Sequence, residues 1–165
     1  MTLAIIDRAI QKLALPCLLP EQLSGALQGL DVAERAIQEL GFLDSLDPPP
    51  HWAQVQEHVT RAHAALTNAP SVHRPSAAPP PTLHLALDDL VTVTDALIRL
   101  AEALVLVLIE AAGRAHNAED EAACLEAALH GNDLHHALHR SRNAHHTRHE
   151  PHQLPADYPT LINDD

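Results

Sequence analysis

Apolar residues at the start of the chain recur every three or four positions, a period that predicts amphipathic helices. A first helix can be capped by Thr2 and must end before Pro16. Its apolar stripe is Leu3, Ile6, Ile10 and Leu13. A second helix is predicted from Pro20 to about Leu40, with Gly41 as a left-handed C-cap. Its apolar stripe is Leu23, Leu27, Leu30, Ile37 and Leu40.

A third helix with a heptad-like apolar seam follows the chain break at Pro48, Pro49 and Pro50. Its seam residues are Trp52, Val55, Val59, Ala62 and Leu66. Residues 69–82 then combine prolines with Ser and Ala, a composition typical of an extended, solvated segment. We therefore predict a long, exposed, Pro-rich crossover linker over 69–82.

The most apolar part of the chain runs from Leu83 to about Ala112, and nothing in it breaks a helix. Apolar residues repeat there on several faces and are densest at Ala103–Ile109. A helix that is apolar on all sides must be surrounded by partners, so we expect this one to be the central helix of the fold. A buried strand is the alternative for 103–109, but no second strand-like run could pair with it.

A capping pattern at Asn117, Asp120 and Glu121 begins a fifth helix. We expect it to reach about Arg140, either continuously or with a restart after Gly131. The sequence thus predicts an all-α fold, a bundle of four or five helices around a long hydrophobic helix. The bundle domain covers residues 1–140, including the linker at 69–82, and a flexible or disordered His- and Pro-rich tail covers 141–165.

Charge and composition narrow the range of partners. The 165 residues include 22 acidic side chains against 10 Lys and Arg, a formal net charge of −12, which disfavours nucleic acid. Residues 103–109 fall short of the roughly 20 apolar residues of a bilayer span. The first ten residues lack a secretory signal pattern, so we expect a cytoplasmic protein without a membrane. Cys17 and Cys124 are expected to be buried, inert thiols.

Histidine is concentrated near the end of the chain, where eight of the fourteen lie between His130 and His152. Spacings of three and four on a helix bring two imidazoles within reach of one Zn²⁺, Ni²⁺ or Cu²⁺ ion, and Asp133 or Glu150 could add an oxygen ligand. No other cofactor is expected. A solvated polar tail is the simpler interpretation of the cluster. The candidate metal ligands are His135, His136, His139, His145, His146 and His149.

Arg side chains among these histidines make residues 130–152 a locally basic patch. This patch could dock onto an acidic surface of a partner, of another copy or of the chain itself. Its members are Arg140, Arg142 and Arg148.

No sequence motif points to an enzyme. The chain lacks the paired Glu-x-x-His motifs of ferritin-like carboxylate enzymes, a His-Glu-x-x-His motif, a Gly-x-Ser-x-Gly motif and a phosphate-binding Gly-rich loop. A small hydrolase or isomerase built from scattered His and carboxylates would need a deep polar pocket.

The heptad seams and the absence of catalytic motifs favour a non-enzymatic helical protein interaction or assembly module. Apolar surface that the bundle leaves uncovered predicts a homo-oligomer, most simply a homodimer. The alternative function is histidine-dependent binding of a divalent metal for storage, delivery or sensing.

Overall fold

The computed structural model describes residues 2–44, 52–73, 83, 85 and 89–149. These residues contain five α-helices and no strand, which confirms the all-α class. Residues 103–109 lie within a helix, so the strand alternative for them is wrong. The helices are α1 (Thr2–Leu13), α2 (Leu19–Leu43), α3 (Trp52–Thr67), α4 (Leu90–Arg114) and α5 (Ala118–His149).

Four of the helices form a closed ring, and α1 lies against one side of it. In the ring α2 packs on α3, α3 on α5, α5 on α4 and α4 on α2, while α1 contacts both α2 and α4. Cross-helix contacts show that ring neighbours run antiparallel. It follows that α3 and α4 run in the same direction.

The apolar stripes predicted from the sequence form the core. All five seam residues of α3 are buried, as are all five stripe residues of α2. Ile6 and Leu13 bury the inner face of α1. Burying a Leu or Ile side chain stabilises a fold by roughly 1.5–3 kcal/mol, so these stripes are the main source of stability. Among the described helices, none is long and apolar enough to cross a bilayer.

Two features of α4 differ from the sequence prediction. The helix begins at Leu90 rather than at Leu83, and Leu83 is buried without being helical. The C-terminal half is not surrounded on all faces. Leu104 and Leu108 are fully buried, but Leu106 is 64% exposed, because α4 is a member of the ring with one face toward solvent.

The ends of α2 and α5 also lie beyond their predicted positions. Gly41 is helical rather than a left-handed C-cap, and α2 ends at Leu43 with Asp44 as its C-cap. The predicted start of α5 is confirmed, since the Asn117 Oδ1 accepts a hydrogen bond from the Asp120 N–H at 2.7 Å.

The helix α5 continues without a restart to His149. The sequence places residues 141–149 in the flexible tail, but in the structure they extend the helix. Ser141 and His145 bury their side chains against the bundle there. Residues 150–165 lie outside the described part of the chain. So does most of the predicted linker at 69–82, where Ala69 is buried rather than exposed.

Candidate functional site

An exposed apolar surface lies on the hairpin formed by α4 and α5. The side chains of Leu106, Ile109, Leu125 and Leu129 are 64%, 53%, 49% and 60% exposed. We call these four residues the hairpin patch. Their spacings of three and four within each helix put each pair on one side of its helix.

The contact between Val105 and Gly131 fixes how α4 and α5 lie against each other. A Cβ atom at Gly131 would lie 3.1 Å from the Val105 Cγ2, so the two helices approach closely at this point. Leu106 follows Val105, and Leu129 precedes Gly131 by two residues. The two helical halves of the hairpin patch are therefore level with each other along the hairpin.

Exposed carboxylates adjoin the hairpin patch along both helices. Glu110 follows Ile109, Glu126 follows Leu125, and Glu102 lies one helical turn before Leu106. The Glu110 carboxylate lies 3.7 Å from the Arg114 guanidinium in an exposed pair. The surface thus has an apolar centre and an acidic rim.

Three of the histidines predicted as metal ligands lie together on α5. The His135 ring centroid is 4.7 Å from that of His139 and 5.6 Å from that of His136, in both cases edge to face. Burial lowers the pKa of His135, and the neighbouring His139 and His136 lower it further, while Glu102 acts in the opposite direction. The neutral ring, which is the form that ligates metals, is therefore favoured at His135.

His145 lies apart from those three and is buried in the bundle. Its Nε2 is 3.0 Å from the Asp44 Oδ2, an ion-pair distance without the angular geometry of a hydrogen bond. The Trp52 Nε1–H donates to the same Asp44 oxygen at 2.7 Å. The side chains of His146 and His149 lie outside the described part of the structure.

One arginine of the basic patch at residues 130–152 forms an ion pair within the chain. Arg142 forms a salt bridge with Asp95 of α4. Arg140 is exposed, and the side chain of Arg148 lies beyond the described ones. Part of the predicted basic patch thus contacts an acidic residue of the same chain.

A further cluster joins α3 to α5. His58, His130 and Asp133 each offer one ligand atom within 4.8 Å of those of the other two, the one such set of three found among the described residues. His130 and Asp133 share a face of α5 through their spacing of three, which the sequence indicates. His58 comes from α3, and no local spacing could have pointed to it.

The carboxylate of Asp120 joins the chain after α3 to the start of α5. Its Oδ1 accepts the Ser71 N–H at 3.0 Å, while its Oδ2 accepts the Ser71 hydroxyl at 2.6 Å and the Asn117 Nδ2–H at 2.6 Å. Burial raises the pKa of Asp120, but these hydrogen bonds from Ser71 and Asn117 outweigh it, so the pKa lies below its ordinary value.

A cavity of about 550 Å³ lies between the α1–α2 turn and α4. Its lining combines apolar side chains with polar ones. The apolar ones include Leu15, Leu18 and Val107, and the polar ones are Lys12, Glu21, Gln22, Ser24 and His73. Cys17 borders the cavity and is half-buried, so the expectation of a fully buried thiol is wrong for it and confirmed for Cys124.

Comparisons with protein-family models, with curated proteins and with solved structures each find no match to this chain.

Proposed function

We propose that this chain is a helical assembly module in which the hairpin patch pairs two copies. One observation carries the proposal: Leu106, Ile109, Leu125 and Leu129 are about half exposed or more on two adjacent, antiparallel helices. Scattered single apolar residues on a surface need no explanation, whereas a continuous apolar surface with a polar rim is typical of an interface.

A second copy is the partner that we propose for this surface. A twofold axis through the hairpin patch would bring α4 and α5 of one copy against the same helices of the other, and such a pairing closes on itself. A standard interface buries about 800 Å² on each partner, so it would extend past the four apolar residues to the rim carboxylates. If the partner is not a second copy, the purified chain will be monomeric in the mass measurement below.

The acidic rim makes the pairing dependent on salt. Two copies carry a formal charge of −12 each and bring Glu102, Glu110 and Glu126 of both chains close together. Salt screens repulsion between exposed charges beyond about 10 Å at 0.1 M. The dimer should therefore become tighter as the salt concentration rises.

Sedimentation equilibrium of the full chain tests the proposal. A dimer mass at micromolar concentration, with a dissociation constant that falls between low and high salt, is the expected result. A monomer mass at both salt concentrations would overturn it.

Metal binding by the histidines of α5 is the second candidate function. The close approach of the His135 and His139 rings and the lowered pKa of His135 favour it, because neutral imidazoles are metal ligands. Such a site would take Zn²⁺, Ni²⁺ or Cu²⁺. Titration with Zn²⁺ tests it: a saturable binding step that is lost in a His135→Ala/His139→Ala variant supports this function, and identical titration curves of the two chains reject it.

A further inference from the structure

We propose that His58, His130 and Asp133 form a binding site for one divalent transition-metal cation between α3 and α5. His58 lies on α3, and the other two lie three residues apart on one face of α5. One ligand atom of each residue lies within 4.8 Å of those of the other two. Two helices that already pack together thus bring three candidate ligands to one point.

The hydrogen bonding of the two imidazoles supports this site independently. The Nδ1 atoms of His58 and His130 are both buried and have no hydrogen-bond partner. A buried polar atom without a partner is costly and needs a physical explanation. Coordination of a cation through Nδ1 would give each of these two imidazoles the partner that it lacks.

The donor set indicates which ions fit. Two imidazoles and one carboxylate suit Zn²⁺, Ni²⁺ or Cu²⁺, whereas Mg²⁺ and Ca²⁺ prefer oxygen ligands. Zinc binds nitrogen and oxygen ligands at about 2.0–2.2 Å, so the three side chains have to rotate toward one another on binding. All three are half-buried, so a hydrated ion can reach them and water can complete the tetrahedral coordination.

The site is separate from both functions proposed above. It uses none of the six histidines that the sequence predicts as ligands, and it does not require pairing of two copies. His130 and Asp133 lie about one turn before His135 and His139 on α5, so the two sets of ligands can be removed separately.

Calorimetric titration of the full chain with Zn²⁺ tests the site. The expected result is a binding step of one ion per chain with micromolar or tighter affinity, which His58→Ala weakens about a hundredfold or more, since even a change of a supporting residue costs about 10–100-fold. The matched control is a His135→Ala/His136→Ala/His139→Ala variant, which should keep this binding. Equal affinity of His58→Ala and the native chain would overturn the proposal, as would loss of binding in the control alone.

A second variant and a second readout keep the test independent of folding. Asp133→Asn retains the size of the side chain and removes its charge, and circular dichroism verifies that each variant is helical. Zn²⁺ should raise the melting temperature of the native chain and not that of His58→Ala or Asp133→Asn, because the ion binds the state in which α3 lies against α5. An equal rise in all three chains would contradict the site.

The same variants separate this proposal from the assembly proposal. The sedimentation mass of His58→Ala should equal that of the native chain, since His58 is not in the hairpin patch. If zinc does not bind, the proposal that two copies pair is still open. If the native chain is monomeric, the proposed zinc site is still open.

Discussion

The Nε2 of His145 lies 3.0 Å from the Oδ2 of Asp44, and this contact fixes the last part of α5 against the end of α2. The same carboxylate oxygen accepts the Trp52 Nε1–H, so the first residue of α3 joins the contact. All three side chains are buried. One end of the bundle is thus held by a buried polar cluster.

Removal of the His145 ring should destabilise the protein. His145→Ala removes a buried ring that lies beside Trp52, with centroids 6.4 Å apart, and removes the close approach to the buried Asp44 carboxylate. Substitutions that remove a buried contact typically cost about 0.5–3 kcal/mol. Urea unfolding followed by the fluorescence of Trp52, the single tryptophan, measures the change. The control is His136→Ala, because His136 is exposed on the same helix. Equal unfolding free energies of the two variants would show that the contact with Asp44 contributes nothing.

The hydrogen bonds to Asp120 should make stability depend on acidic pH. Because the folded pKa of Asp120 lies below its ordinary value of 3.8, the unfolded chain takes up the proton first as the pH falls. The stabilisation is therefore fully present above pH 3.8 and is lost as the pH falls through the folded pKa.

The variant Asp120→Asn isolates this contribution. At pH 7 it should lower the free energy of unfolding by about 1–3 kcal/mol, because the partly buried Ser71 donors lose a charged acceptor. The difference in free energy of unfolding between Asp120→Asn and the native chain should be smaller at pH 3 than at pH 7. Urea unfolding at the two pH values measures it. Glu119→Gln, an exposed charge in the same helical turn, should have a small effect at both. A difference for Asp120→Asn that is constant with pH would refute the linkage.

The two cysteines should differ in reactivity. Burial, with the negative charge of Asp120, raises the pKa of Cys124 to about 11, so its thiol stays protonated and inaccessible near neutral pH. Cys17 is half-buried at the cavity. A colorimetric disulfide reagent should therefore titrate one thiol in the native chain and two in urea. Rapid reaction of a folded Cys17→Ala chain would contradict this.

Replacing a helical glycine by alanine usually stabilises a protein, and the close approach at Gly131 should reduce or reverse that gain. Gly25→Ala should raise the free energy of unfolding by about 0.5–1 kcal/mol, because a Cβ there meets no atom within 4 Å. Gly131→Ala should stabilise less or destabilise, since its Cβ would lie 3.1 Å from the Val105 Cγ2 on a side chain with restricted χ1. Urea unfolding of both variants checks the order, and a stabilisation by Gly131→Ala equal to that by Gly25→Ala would contradict the tight contact.

The sequence predicts the helices well because the residues that determine each helix are neighbours along the chain. The seam from Trp52 to Leu66 has a clear apolar period, and all of its residues are buried. The cap at Asn117 is likewise contained in a few neighbouring residues. Periodicity does not say how many helices surround a given one, which is why Leu106 was expected to be covered. An apolar period also does not distinguish a helix from a buried residue outside one, which is why the sequence places the start of α4 at Leu83.

The candidate sites were less predictable because they depend on contacts between distant residues. Spacing on α5 groups His135 with His139, and the structure has them close together. The same spacing included His145, whose surroundings are set by α2 and α3. His58 reaches His130 only when α3 packs on α5. Local spacing identifies candidate ligands, but the packing of the helices decides which of them meet.

Sedimentation equilibrium of matched variants tests the pairing of two copies most directly. Leu106→Asp/Leu129→Asp puts charge into the hairpin patch, whereas Phe42→Asp changes a residue that is 84% exposed at the end of α2, outside the patch. We predict a dimer for the native chain and for Phe42→Asp, and a folded monomer for the double variant. A dimer that persists in the double variant, or a native chain that is monomeric at micromolar concentration, would contradict the account.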